Sequence, residues 1–183
     1  MSDKENKQRS STMAALLKDK PKRGRPRRDV DRQNVYVAMT KEQKLAMRRL
    51  ADQLAPHIVR ADIPDLAITV LAARMEALRR AVADRNREMP EGITDLESLY
   101  LLWDLSLPPK EPDEKWTSLR VSPQQAIELG RLHGTLNAIF GSNRSETFAL
   151  GLVLLEQVIE DYQLFKDELA LDGLRTKLID IYL

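Results

Sequence analysis

Cysteine is absent from the 183 residues, which excludes disulfides, thiolate metal sites and thiol nucleophiles and fits a reducing interior. Histidine is scarce: His57 and His133 are the only two, and each falls at or near the end of an expected helix with no partner set for acid–base catalysis. No metal-ligand spacing is present and no Gly-rich loop follows a strand, so the sequence reads as a non-enzyme without metal or cofactor. Aromatics make up 5% of the chain against 43% hydrophobic residues, a balance that predicts helices packed on Leu, Ala, Val and Ile. The longest notable apolar run, Ala149 to Leu155, falls far short of the roughly 20 residues a membrane helix needs. The start, "MSDKENKQRS", lacks an apolar leader, and the expectation is a soluble, cytoplasmic protein with no membrane partner.

What is present is sorted along the chain. Residues 1 to 33 carry eleven Lys and Arg against five Asp and Glu, a net of +6. With +1 overall, the remainder carries 1 minus 6, or −5. The basic part, residues 1–31, is nearly empty of apolar side chains and is expected to be a disordered tail until it meets a polyanion.

The body contains a repeat. Val35 to Leu54, "VYVAMTKEQKLAMRRLADQL", has a counterpart 82 positions later in Thr117 to Leu136, "TSLRVSPQQAIELGRLHGTL". Val37 aligns with Leu119, Met39 with Val121, Thr40 with Ser122, Gln43 with Gln125, Leu45 with Ile127, Met47 with Leu129, Leu50 with Leu132 and Leu54 with Leu136. Each copy alternates apolar residues like a strand, then offers a Ser/Thr cap, a Gln at the capping-box position and apolar residues at helix spacing. A second cap and a longer, more apolar helix follow in each, with Asp62 as the cap in the first copy and Asn143 or its neighbour in the second. A lone strand needs a partner for its edges, and each of these can pair with the other.

These residues resemble the ribbon-helix-helix DNA-binding proteins of the MetJ/Arc/CopG type, most closely in "SLRVSPQQAIELGRL" followed by "GSNRSETFALGL". The resemblance covers residues 32 to 85 and 115 to 163. It implies a mostly α fold with a short two-stranded antiparallel ribbon, arranged as a tandem ribbon-helix-helix pseudo-dimer in one chain. Its pseudo-twofold axis would lie between Val37 and Leu119 or nearby. The corresponding divisions are 1–31 for the tail, 32–88 and 115–163 for the two units, 89–114 for a helical connector and 164–183 for a C-terminal extension.

If Val35, Val37, Met39, Thr117, Leu119 and Val121 face the core, the outward set is Asn34, Tyr36, Ala38, Trp116, Ser118 and Arg120. A two-stranded ribbon fits the major groove, where Asn34 suits an adenine edge, Arg120 the N7 and O6 of guanine, Ser118 either purine, and Ala38 a thymine methyl. The halves differ at every position, which implies a target that is not a perfect palindrome. The resemblance also implies a phosphate held at the start of the second helix by Asn143, Arg144 and Ser145, whereas "ADIPDL" puts Asp62 and Asp65 beside the equivalent place. In the tail, "PKRGRPRR" resembles an AT-hook, its core being Arg23, Gly24, Arg25 and Pro26, with Arg27 and Arg28 following. Gly24 lets the backbone approach a groove floor, and the arginines suit the negative potential of an A·T-rich minor groove.

The connector predicts a further helix from Thr94 to about Leu105 with Thr94 and Glu97 as its capping box. After Tyr162 the pattern predicts continued helix, a break at Asp172 and Gly173, and a final helix bearing Leu174, Leu178, Ile181 and Tyr182. That last helix suits either the domain's own core or a joint to a second copy or another protein. Two function classes follow. The first is sequence-specific binding of double-stranded DNA, as a transcriptional repressor or a plasmid or mobile-element accessory factor, with a nucleoid-associated location in the cytoplasm. The second is a protein-interaction scaffold of antitoxin or relaxosome type acting through the C-terminal helices.

Overall fold

The computed structural model describes residues 31–84, 92–109 and 113–183. Strand β1, Gln33–Met39, alternates exposed and buried positions, with Val35, Val37 and Met39 at 8%, 0% and 1% exposure. That period of two is what one wet face and one dry face demand. At Thr40 the chain turns into helix α1, Lys41–Gln53, through a closed capping box in which the Gln43 amide donates to Thr40 Oγ1 (3.1 Å) and the Thr40 amide to Gln43 Oε1 (2.9 Å). Helix α2, Ile63–Asp84, starts inside an unbroken buried stretch from Asp62 to Leu71 and is the long central element.

The connector helix α3, Leu96–Leu102, buries Leu99 and Tyr100. Its N-cap is Asp95 and not Thr94: the Asp95 carboxylate accepts from the Ser98 amide and hydroxyl (2.7 Å each), so no Thr94–Glu97 box forms. Burial pushes the Tyr100 phenol well above its ordinary pKa, with the Glu146 carboxylate adding to the effect. Strand β2, Lys115–Val121, then pairs antiparallel with β1.

Ser122 caps helix α4, Pro123–Phe140, with Pro123 in the first turn and Gly141 closing the helix at a left-handed φ of 68°. Here Gln125 does not complete a capping box. Its side-chain Nε2 donates to Thr69 Oγ1 (3.2 Å), and the Ser122 amide donates instead to Asp65 Oδ1 of α2 (3.0 Å). Helix α5, Arg144–Asp161, opens with a closed Asn143–Glu146 box. Continued helix after Tyr162 does not occur; a 3-10 turn at Leu164–Lys166 intervenes. The break also comes earlier than expected, since Asp172 and Gly173 lie within helix α6, Leu171–Asp180.

The structure is thus mostly helical with one two-stranded antiparallel sheet. Helix α2 packs against α5, α6 and α4, and α5 also supports β1. One continuous core joins Val37, Met39, Leu119 and Val121 under the ribbon to Leu50, Leu71, Leu136, Leu155 and Leu178 in the helices. Each such fully buried aliphatic side chain contributes roughly 1.5–3 kcal/mol. The aligned pair Leu45 and Ile127 is outside it, 53% and 70% exposed. Two residues turn a helix by about 200°, so once Met47 and Leu129 face inward, these two face water.

Arg74 on α2 ties both extensions down, its guanidinium 5.5 Å from the Trp103 ring centre and 4.9 Å from that of Tyr182. Leu174 and Leu178 are buried at 1% and 0%, so α6 covers the core of its own chain. No helix among the described residues is long and apolar enough to cross a membrane.

Candidate nucleic-acid interface

Because the strand period is two, burying Val35, Val37 and Met39 sends Asn34, Tyr36 and Ala38 to the other face. The same holds for Trp116, Ser118 and Arg120 once Leu119 and Val121 are buried. The register sets these six side chains in three facing pairs: Asn34 opposite Arg120, Tyr36 opposite Ser118, and Ala38 opposite Trp116. Asn34, Ser118 and Arg120 are exposed, Tyr36 is 60% and Trp116 76% exposed, and Ala38 is half-buried. Val37 faces Thr117 and Leu119 faces Val35, so the strand residue that meets its own counterpart from the repeat is Tyr36, one position from the expected Val37–Leu119 centre.

The two ends of this face are built differently. At the Ala38–Trp116 end, the Ala38 amide donates to Ser145 Oγ (2.8 Å), which pins β1 to the first turn of α5. Ser145 is thereby buried to 7% exposure. Asn143 is engaged too: its amide donates to Glu146 Oε2 (2.7 Å) and its Oδ1 accepts from the Glu146 amide (3.0 Å). Of the three residues expected to meet a phosphate, Arg144 alone extends an exposed charged side chain, while Asn143 caps and Ser145 anchors the ribbon.

At the Asn34–Arg120 end a cluster of charges lies beneath the ribbon. The Arg32 guanidinium donates to Asp62 Oδ1 (2.6 Å), to the Arg120 carbonyl (3.1 Å) and to the Ala61 carbonyl, and lies 4.0 Å from Asp65. Arg175 of α6 donates to Asp65 Oδ2 (2.9 Å). The side chains of Arg32, Asp62 and Asp65 are 8%, 6% and 1% exposed. The Asp62 and Asp65 carboxylates, expected beside the place equivalent to the phosphate site, turn inward and hold the start of β1, the end of β2 and the C-terminal helix together. Arg32 and Arg175 were not singled out in the sequence. Arg32, the first residue of the first unit, reads there as one more charge following the basic tail, and Arg175 lies 110 positions from its partner.

Arg23, Gly24, Arg25, Pro26, Arg27 and Arg28 lie outside the described residues. Among the described residues no group of three or more His, Asp or Glu side chains is placed to hold a metal ion. A groove of about 420 Å³ runs between α2 and α4, lined by Met75, Leu78, Val82, Leu132 and Ile139. Glu76 on its edge is forked by Arg79 and Arg80, whose hydrogen bonds hold its carboxyl down at about 2.

Comparison with protein-family models, with curated proteins and with solved structures gave no match.

Proposed function

We propose that this chain binds double-stranded DNA sequence-specifically as a ribbon-helix-helix pseudo-dimer, acting as a repressor or as a plasmid or mobile-element accessory factor in the cytoplasm. The observation that carries the reading is the register. Tyr36 stands opposite Ser118, its own counterpart 82 positions later, as a pseudo-twofold axis through the ribbon requires. Six side chains of mixed polarity then project from a ribbon of the width the major groove admits.

The bound ribbon reads base edges with Asn34 and Arg120, Arg144 at the head of α5 meets a phosphate, and the basic tail adds salt-sensitive affinity. The role is binding, with no reaction catalysed. The scaffold reading loses its best surface, because Leu174, Leu178 and Arg175 of α6 are already engaged within the chain.

The test is an anisotropy titration on random and A·T-rich duplexes at several salt concentrations. Wild type is expected to bind with a steep salt dependence, Arg120→Ala to lose about 1–3 kcal/mol on its preferred sequences, and the double Arg23→Ala, Arg25→Ala variant to weaken binding and flatten the salt slope. Absence of binding to any duplex at low salt would overturn the reading.

A further inference from the structure

The two largest side chains of the ribbon face are aromatic. Trp116 at 76% and Tyr36 at 60% exposure hold large apolar ring surfaces in water. They are diagonal neighbours across the strands, since Trp116 faces Ala38 and Tyr36 faces Ser118, which sets such positions about 7–8 Å apart on one face. With Ala38 they make one end of the face apolar, while Asn34 and Arg120 make the other end polar.

The inference rests on the DNA reading, which also identifies the occupant of this face. Residues 1–31, which precede β1 in the sequence, carry ten Lys and Arg against five Asp and Glu, a net of +5, complementary to a polyanion. Along a major groove the edge of each base pair is a row of hydrogen-bonding groups, and the one apolar group it offers is the C5 methyl of thymine. We infer that Trp116 and Tyr36, with Ala38 beside them, form an apolar shelf selecting thymine methyl groups, so that one end of the ribbon reads pyrimidine methyls and the other reads purine edges. The target then has a direction: a thymine-bearing segment lies toward the head of α5, where Ser145 holds Ala38, and a purine-edge segment lies toward Arg32 and the tail.

The indole N–H and the phenol could instead hydrogen-bond to base acceptors, and uracil separates the two modes because it keeps O4 and loses only the methyl. Duplexes are enriched from a random pool by the wild-type chain, then synthesised with thymine and with uracil. The uracil form is expected to bind more weakly by about fourfold for each methyl packed. Trp116→Ala, at a position exposed enough to leave the fold intact, is expected to bind the thymine duplex more weakly and to discriminate less between the two. Equal wild-type affinity for both duplexes would overturn the methyl shelf and leave the DNA reading standing. Failure to enrich any duplex would overturn both.

Discussion

Asp65 illustrates how much one side chain organises here. At 1% exposure its carboxylate accepts from the Ser122 amide and from Arg175 and lies 4.0 Å from Arg32, so one group joins the β2–α4 junction, the C-terminal helix and the start of β1. Desolvating charges is costly, and the cluster survives because its members are paired and hydrogen-bonded. Removing Asp65 leaves the Ser122 amide without its acceptor, takes one carboxylate from Arg175 and leaves Arg32 with Asp62 as its one remaining carboxylate. Asp65→Ala is therefore expected to lower unfolding free energy by about 3–5 kcal/mol in urea titrations. Arg175→Ala, whose side chain is 26% exposed, should cost less. A loss under about 1 kcal/mol for Asp65→Ala would reduce the cluster to the worth of a surface pair. No sequence pattern marks these partners, because hydrogen bonding to a carboxylate across 30, 57 and 110 positions has no local signature.

Among the elements, α2 and α5 approach closely at Gly151. A Cβ added at Gly151 would come within 2.8 Å of the Ala67 carbonyl oxygen, which is backbone and cannot rotate away. Gly151→Ala should therefore push the helices apart and cost about 1–3 kcal/mol. Gly130→Ala on α4, where a Cβ meets nothing within 4 Å, should instead gain up to about 1 kcal/mol of helix propensity. Paired thermal melts check both, and a Gly151→Ala chain as stable as wild type would contradict the close packing. Strand starts, the Thr40, Ser122 and Asn143 caps and the faces of the ribbon were legible in the sequence because each is set within a few residues by period or capping geometry. Other details were not. Asp95 displaced Thr94 as a cap because a carboxylate there takes both the Ser98 amide and hydroxyl, and Gln125 left its box because a distant carboxylate held the Ser122 amide.

For the molecule as a whole, the repeat sets two distant strands of one chain side by side in one surface. Both strands of the ribbon come from one chain, so the two halves are free to differ, and they do. One end couples Ala38 to the head of α5, and the other is closed by Arg32, Asp62, Asp65 and Arg175 and continues into the basic tail. The repeat makes the pairing of distant strands legible, whereas the sequence leaves the partner of α6 open and the burial of Leu174 and Leu178 turns that helix onto the core of its own chain.

The most direct measurement of the central claim is amide chemical-shift mapping of the full chain against an enriched duplex. The largest perturbations are expected at residues 33–39 and 115–121 and at Arg144, with α6 and the α2–α4 groove little changed. Perturbations confined to α6 or to that groove, with both strands unmoved, would contradict it.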